Sequence, residues 1–253
     1  MKYLIILLIS LNCFSQKTIV VDYTLHSEII PGQKVETNFR LYSNQEKHHY
    51  KLLALDENPK NNLKLDNEEQ EKDEITVVQR IIDNETIFFT YTDLKKKKIV
   101  TSDNIDNIKY QIEEGIPDLK WEILSETKQI DKYTCKKIKT SFRGREYYGW
   151  FTEEIPNSVG PWKFNNAPGL LLEVADVTHK YHWYATKIKM DDAPFEMPNV
   201  NYKTIDLKTS VQLIEDFYKK RSEITNSRLS EGAYSVQSKV IRSGFEIKYE
   251  WEN

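Results

Sequence analysis

Two arginines flank a glycine at Arg143-Gly144-Arg145. Guanidiniums fixed on a turn can grip a carboxylate or phosphate through paired N–H donors. Gly144 permits a bulge or a positive-φ turn between them. Nearby acids, Glu146, Glu153 and Glu154, are the expected partners of the two cations, which leaves an anionic ligand as the second reading. After the turn, Tyr148 and Trp150 share one face of a strand, and Tyr147 and Phe151 share the other. Pro156, Pro161 and Pro168 then each remove a backbone donor and restrict φ, while Gly160 and Gly169 supply turns. Residues 153–169 therefore read as a long, rigid loop carrying Trp162 and Phe164. Such a loop is either a plug closing one end of a sheet, the favoured reading, or the rim of an apolar ligand pocket.

Other reactive residues are sparse. The chain has no G-x-S-x-G elbow, no H-E-x-x-H helix, no P-loop and no dinucleotide fingerprint. Of the five histidines only His179 and His182 form a suggestive pair, and residues three apart on a strand point to opposite faces. No metal or cofactor is expected. Adjacent acids at Glu113-Glu114, Glu153-Glu154 and Asp191-Asp192 diverge on extended backbone, whereas carboxylate-pair hydrolysis needs two acids facing each other across a cleft. The spacing of a calcium-binding loop is missing. Cys135 reads as a small buried hydrophobe, although neighbouring lysines would activate it if it were exposed.

The first sixteen residues, MKYLIILLISLNCFSQ, combine Lys2 with an apolar run from Tyr3 to Leu11. They read as a secretory signal peptide cleaved near Ser15 or Gln16. Lipidation at Cys13 is not expected, because Asn12 stands where a small residue is needed. No later run is long and apolar enough to span a bilayer as a helix. Residues 17–253 then hold a single thiol, so the fold must rest on its core rather than on disulfides. A net charge of −3 with mixed signs argues against nucleic-acid binding. The lysine run 95–98 reads as a solvated hairpin tip.

Period-two patterns dominate the elements that must position these residues. Val21, Tyr23 and Leu25 alternate with Asp22 and Thr24, and Val35, Thr37, Phe39 and Leu41 alternate with Glu36, Asn38 and Arg40. Residues 75–82 and 85–91 read as a hairpin about Asp83-Asn84, after a flexible acidic loop at 56–74. Further strands are expected at 98–102, 109–113, 120–124, 134–142, 146–152 and 181–190. The nearly continuous apolar run 170–177 suits a strand covered on both faces. The segment 245–253 alternates as a last strand. Leu207, Val211, Ile214, Phe217 and Tyr218 instead follow a helical period, with Asp206 as N-cap and Lys219, Lys220 and Arg221 at the C-terminal end. The pattern predicts a single, mainly β domain over 17–253: a curved antiparallel sheet or half-barrel packed around one amphipathic helix at about 207–220.

Several of these segments together resemble the GLPGLI family of exported Bacteroidetes proteins, whose function is not established. The resemblance rests on ETKQI (126–130), Tyr133 with Cys135, FRGREYYGWFTEEIP (142–156), GPWKF (160–164) and the apolar strand from Gly169. The signature itself departs, since NAPGLL (166–171) stands where GLPGLI is expected; Pro168, Gly169 and Leu170 are retained. The resemblance implies an exported protein of the periplasm or cell envelope, or a secreted one, and supplies no catalytic residues. At fold level the outline also resembles periplasmic half-barrels that carry lipids or lipoproteins. The sequence thus favours a non-enzymatic binding or scaffold module for an apolar ligand or an envelope protein partner. Tyr148, Trp150, Trp162 and Phe164 are its expected anchors, Arg145 a polar contact, and Gly144, Gly160, Pro161, Pro168 and Gly169 its structural frame. The alternatives are an exported hydrolase using a carboxylate pair among Glu153, Glu154, Glu173 and Asp176, or an accessory subunit of an outer-membrane transport or secretion complex.

Overall fold

The computed structural model describes residues 17–30, 33–53, 87–227, 242 and 244–252. The expected signal peptide with Cys13, the acidic loop 56–74 and the hairpin turn at Asp83-Asn84 lie outside the described residues. Among the described residues twelve strands form one sheet. They are β1 (Thr18–Ile30), β2 (Gln33–Ser43), β3 (Lys47–Leu52), β4 (Phe89–Asp93), β5 (Lys98–Ile105), β6 (Ile108–Gly115), β7 (Glu122–Ile130), β8 (Tyr133–Phe142), β9 (Arg145–Thr152), β10 (Leu170–Asp176), β11 (Tyr181–Asp191) and β12 (Lys203–Asp206). The order across the sheet is β12-β6-β5-β4-β3-β2-β1-β11-β10-β9-β8-β7. Two antiparallel meanders, β1–β6 and β7–β11, thus run in opposite directions from a seam where β1 pairs with β11.

Connectivity dictates the curvature. β6 and β7 are ten places apart in the sheet, a flat separation of about 48 Å at roughly 4.8 Å per strand. Only residues 116–121 connect them, and six residues reach at most about 22 Å. The sheet must therefore curl, bringing the β6 end towards β8 and β9. Register shifts at Asp22/Tyr23, Leu171/Glu173 and Ile123/Thr127 add local bends.

Most of the core lies on one face, and around β10 burial extends to both. Ile19, Val21, Tyr23 and Leu25 of β1 meet Leu170, Leu171, Leu172 and Val174 of β10, Tyr147 and Phe151 of β9, and Trp183 of β11, all 5% exposed or less. β10 sits between β9 and β11, and its burial on both faces answers its continuous apolar run. Cys135 is buried in the same cluster, and that burial pushes its thiol up to about 11. The lysine run 95–98 does cap the β4–β5 hairpin, with Lys95 and Lys96 exposed.

The helix α1 (Leu207–Ser227) begins where expected: Asp206 accepts from the Thr209 N–H at 2.9 Å and from its hydroxyl at 2.7 Å. It continues beyond residue 220, so Lys219, Lys220 and Arg221 lie inside it, and its last turn carries no basic residue. Leu207 and Val211 pack on Ile105, Tyr110, Ile112 and Tyr249. Among the described elements α1 touches β5, β6 and β12, so it covers one end of the sheet rather than filling a barrel. The short β12, which the sequence did not suggest, pairs in parallel with β6. Among the described residues the architecture is mainly β with one long helix, an open curved sheet that is antiparallel except at that edge.

The expected last strand is not formed. The N–H groups of Ile247 and Lys248 both donate to the Arg143 carbonyl, at 2.9 and 3.0 Å. Two successive donors on one acceptor cannot belong to a ladder, in which they point to opposite sides. Residues 244–252 are instead a tail crossing the core face, ending in a 3₁₀ turn at Glu250–Glu252.

Candidate functional site

The β8–β9 hairpin turns through Arg143 (φ 43°) and Gly144 (φ 85°), the double positive φ of a tight two-residue turn. A Cβ on Gly144 would lie 2.7 Å from Ile247 Cγ1, so the tail crosses over the bare glycine. The loop 153–169 folds back on the sheet. Val159 bridges to Asn165, and Gly160 N–H donates to the Phe164 carbonyl at 2.7 Å. Trp162 holds a positive φ of 54°, a strain of about 1–3 kcal/mol that packing must maintain. The loop ends on Gly169, where a Cβ would stand 2.0 Å from the Thr152 carbonyl oxygen, and on Pro168, which is exposed. Gly160 and Pro161 are buried.

Phe164 is fully buried, with ring centroids 4.9 Å from Tyr147, 5.4 Å from Trp162 and 5.6 Å from Trp183. Trp162 is half-buried and parallel to Trp183. Phe245 of the tail completes the cluster, 4.6 Å from Tyr181, 4.9 Å from Trp183 and 5.1 Å from Trp162. In this arrangement Phe164 fills the core, and Trp162 and Phe245 lie over it.

Beside the aromatic cluster sits a buried ion cluster. The Arg143 side chain is 6% exposed and pairs with Glu114 at 2.6 Å, with Glu246, and with Glu250 at 3.0 Å. Lys163, 3% exposed, pairs with Glu114 at 2.5 Å and with Glu246 at 3.0 Å. Burial acts to raise the Glu114 carboxyl, yet Lys163 and Arg143 outweigh it and hold the group below its ordinary value. Arg143 does not take the expected partners Glu146, Glu153 or Glu154. Glu153 and Glu154 stand at the far end of β9, more than about 20 Å along an extended strand, where Glu153 pairs with Lys136 and Glu154 accepts from the Thr134 N–H. Arg145 instead meets Asp176 at 3.4 Å and donates from Nε to the Gly244 carbonyl at 2.8 Å. Asp176 also accepts from the Tyr181 N–H and the Thr178 hydroxyl. In the sequence Glu114 stands only as one of two diverging acids, and Lys163 and Glu246 carry no signal, because their partners lie up to 103 residues away.

The opposite face of the same strands is open. Tyr148 is 37% exposed and Trp150 is half-buried. Cross-strand partners place Lys137 opposite Trp150, and Trp150 opposite Glu173. Lys128 Nζ lies 4.4 Å from the Trp150 centroid and Lys137 Nζ 5.1 Å from that of Tyr148. Hydrogen bonding from His182, reinforced by Lys128, holds the Glu173 carboxyl at about 2. Further along, His26 lies 2.9 Å from both Glu36 and the Tyr184 hydroxyl. His179 and His182 have ring centroids 6.4 Å apart, and among the described residues no group of three or more His, Cys, Asp or Glu can hold a metal.

The structure thus divides the five expected binding residues. Trp162, Phe164 and Arg145 are drawn together with the tail on the core face, while Tyr148 and Trp150 stand on the outer one. Asp176 and Arg145 form one charge pair, and Glu173 pairs with Lys128 and hydrogen-bonds His182, so these acids do not converge on a cleft.

A curved twelve-stranded sheet with an inserted aromatic loop, on which the described candidate acids do not converge, defines a β-sheet module. The chain belongs to the family described as N-glycanase peptide, N-terminal domain, which matches residues 51–210, over half of its 253 residues. Two solved structures of PNGF-II share the fold. The form in space group P21 gives a TM-score of 0.53 at 17% identity over 80% of this chain and 34% of that one. The C2 form gives 0.52 at 16% over 80% and 33%. The chain therefore spans about a third of the PNGF-II chains it matches. A LolA superfamily protein from Nitrosomonas europaea aligns at a TM-score of 0.32 and 9% identity over 72% of this chain and 89% of that one, too loosely to carry any conclusion. Among curated proteins nothing matches. No helix among the described residues is long and apolar enough to cross a membrane.

Proposed function

We propose that this chain is an exported, non-enzymatic binding module whose outer sheet face, centred on Tyr148 and Trp150, holds a glycosylated protein partner. The carrying observation is the split of β9: its core-side residues are sealed, while Tyr148 is 37% exposed beside Trp150. Amphipathic rings flanked by Lys128, Lys137, Glu173 and His182 suit a partner that combines apolar surface with hydrogen-bonding groups. Membership of a family described for the N-terminal domain of an N-glycanase supports a glycoprotein as that partner. Export is supported by the apolar run Tyr3–Leu11 behind Lys2. The GLPGLI-like residues 126–171 fall inside the matched span 51–210, and we take the two likenesses to describe the same strand–loop–strand unit.

Biolayer interferometry with one N-glycosylated protein and its deglycosylated form tests this reading. The chain should bind the glycosylated form, and the double variant Tyr148→Ala/Trp150→Ala should weaken binding at least tenfold. Equal binding of both forms, or undiminished binding by the variant, overturns it. Mass spectrometry of the same incubation should find no released glycan; release would establish an enzyme instead.

A further inference from the structure

The tail 244–252 is held as a bound peptide is held. Phe245 enters a box of Trp162, Tyr181 and Trp183. Its carbonyl accepts from the Tyr147 hydroxyl at 2.9 Å, and the preceding carbonyl accepts from Arg145 Nε at 2.8 Å. The next side chain, Glu246, is received by Lys163 at 3.0 and 3.1 Å and by Arg143. The two following N–H groups donate to the Arg143 carbonyl, and the tail crosses a glycine with no side chain to block it. Each element of sequence-selective recognition is present: a shaped aromatic pocket, main-chain receptors and a buried counter-charge.

The charge count makes the receptor specific. Arg143 and Lys163 are both nearly excluded from solvent. Among the described ion pairs the rest of the fold gives them one carboxylate, Glu114. Asp103 interacts with Lys163 only at a distance, without an ion pair. The second buried carboxylate comes from the tail. Without it two buried cations would share one anion, an arrangement that is strongly unfavourable. A Cβ on Gly244 would meet nothing within 4 Å, so the position before the phenylalanine is unrestricted.

We propose that Arg143, Arg145, Tyr147, Trp162, Lys163 and Trp183 form a peptide-recognition site for the sequence Phe-Glu, occupied in cis by Phe245-Glu246 and open in trans to a Phe-Glu segment of another polypeptide when the tail is displaced. The site is independent of the outer-face reading. The trans segment is the Phe245-Glu246 tail of a second copy of this chain, which itself carries the recognised sequence.

The test uses the full-length chain with Phe245→Ala and Glu246→Gln, which vacates the site, and a fluorescein-labelled peptide Ser-Gly-Phe-Glu-Ile-Lys-Tyr followed by fluorescence anisotropy. The vacated chain should bind the peptide saturably and at least tenfold more tightly than the unaltered chain, whose own tail competes. Replacing Phe by Ala, or Glu by Gln, in the peptide should weaken binding at least tenfold. Absent binding, or binding indifferent to those two positions, overturns the proposal. If the variant does not fold, hydrogen exchange on the unaltered chain decides: millimolar peptide should accelerate exchange of the Ile247 and Lys248 amides, and unchanged exchange overturns the proposal. Light scattering separates the sources. A dimer of the unaltered chain that is lost in the double variant supports the second copy as occupant; a monomer that still takes the peptide overturns that occupant in favour of a different protein.

Discussion

Strand β9 faces two environments with side chains one residue apart. Tyr147 and Phe151 are fully buried against Phe164, Leu171 and Trp183, and the Tyr147 hydroxyl is spent on the tail. Tyr148 and Trp150 stand outward under the ammonium groups of Lys137 and Lys128. Both sides are rich in aromatics and charge, so composition does not separate them. On the core face the charges are desolvated and mutually neutralised, and the rings touch one another. On the outer face each ion pair is partly hydrated and each ring keeps an edge in water. The core face specifies architecture, and the outer face leaves its rings accessible without unfolding anything.

Substitutions should separate the faces by size of effect. Phe164→Ala removes a fully buried ring and should cost about 3–5 kcal/mol in chemical denaturation. Lys163→Met removes one cation from the buried cluster and leaves Glu114 and Glu246 to share Arg143; a loss on the order of 3 kcal/mol is expected from the same measurement. A loss under about 1 kcal/mol for either variant would mean that the core face is not sealed as described.

The next effect is a pH dependence. Burial holds His48 and His49 at about 4, below the ordinary 6.5, with Lys51 adding to the effect at His49. The unfolded chain takes up these protons first, so their stabilisation is complete above pH 6.5 and is lost as pH falls towards 4. Melting temperature should drop across that window, and His48→Gln should reduce the drop. Glu173 behaves as an acid held low: its contribution is present above pH 4.5 and lost as pH falls towards 2, so Glu173→Gln should flatten that lower window only. The smallest effect belongs to the outer rings, where Tyr148→Ala should change stability by only about 0.5 kcal/mol, while the binding described above falls with Trp150.

Much of this contrast was legible in the chain. Period-two alternation separated Tyr147 and Phe151 from Tyr148 and Trp150, because a strand leaves no other arrangement. The prolines and glycines fixed the loop at 153–169, and Asp206 marked the helix start. The same alternation misled at 245–251, where Phe245, Ile247 and Tyr249 are apolar because the tail lies on a core, not because it pairs in a ladder. Its donors converge on one carbonyl of a turn, an acceptor that no local pattern announces. The ion cluster was equally silent. Arg143 finds Glu114 only because a six-residue link forces the sheet to curl, and finds Glu246 only because the tail returns. Partner choice in such clusters is set by topology, and the join of β1 to β11 that creates that topology leaves no trace in either strand.

Hydroxyl-radical footprinting read by mass spectrometry tests the central claim most directly, since one peptide spanning β9 carries both faces. Tyr148 and Trp150 should be oxidised at rates typical of exposed rings, with Tyr147 and Phe151 in the same peptide, and Phe164 and Trp183 elsewhere, protected until the chain unfolds. Comparable oxidation of Tyr147 and Tyr148 in the native chain would contradict the division of the sheet into a sealed face and an exposed one.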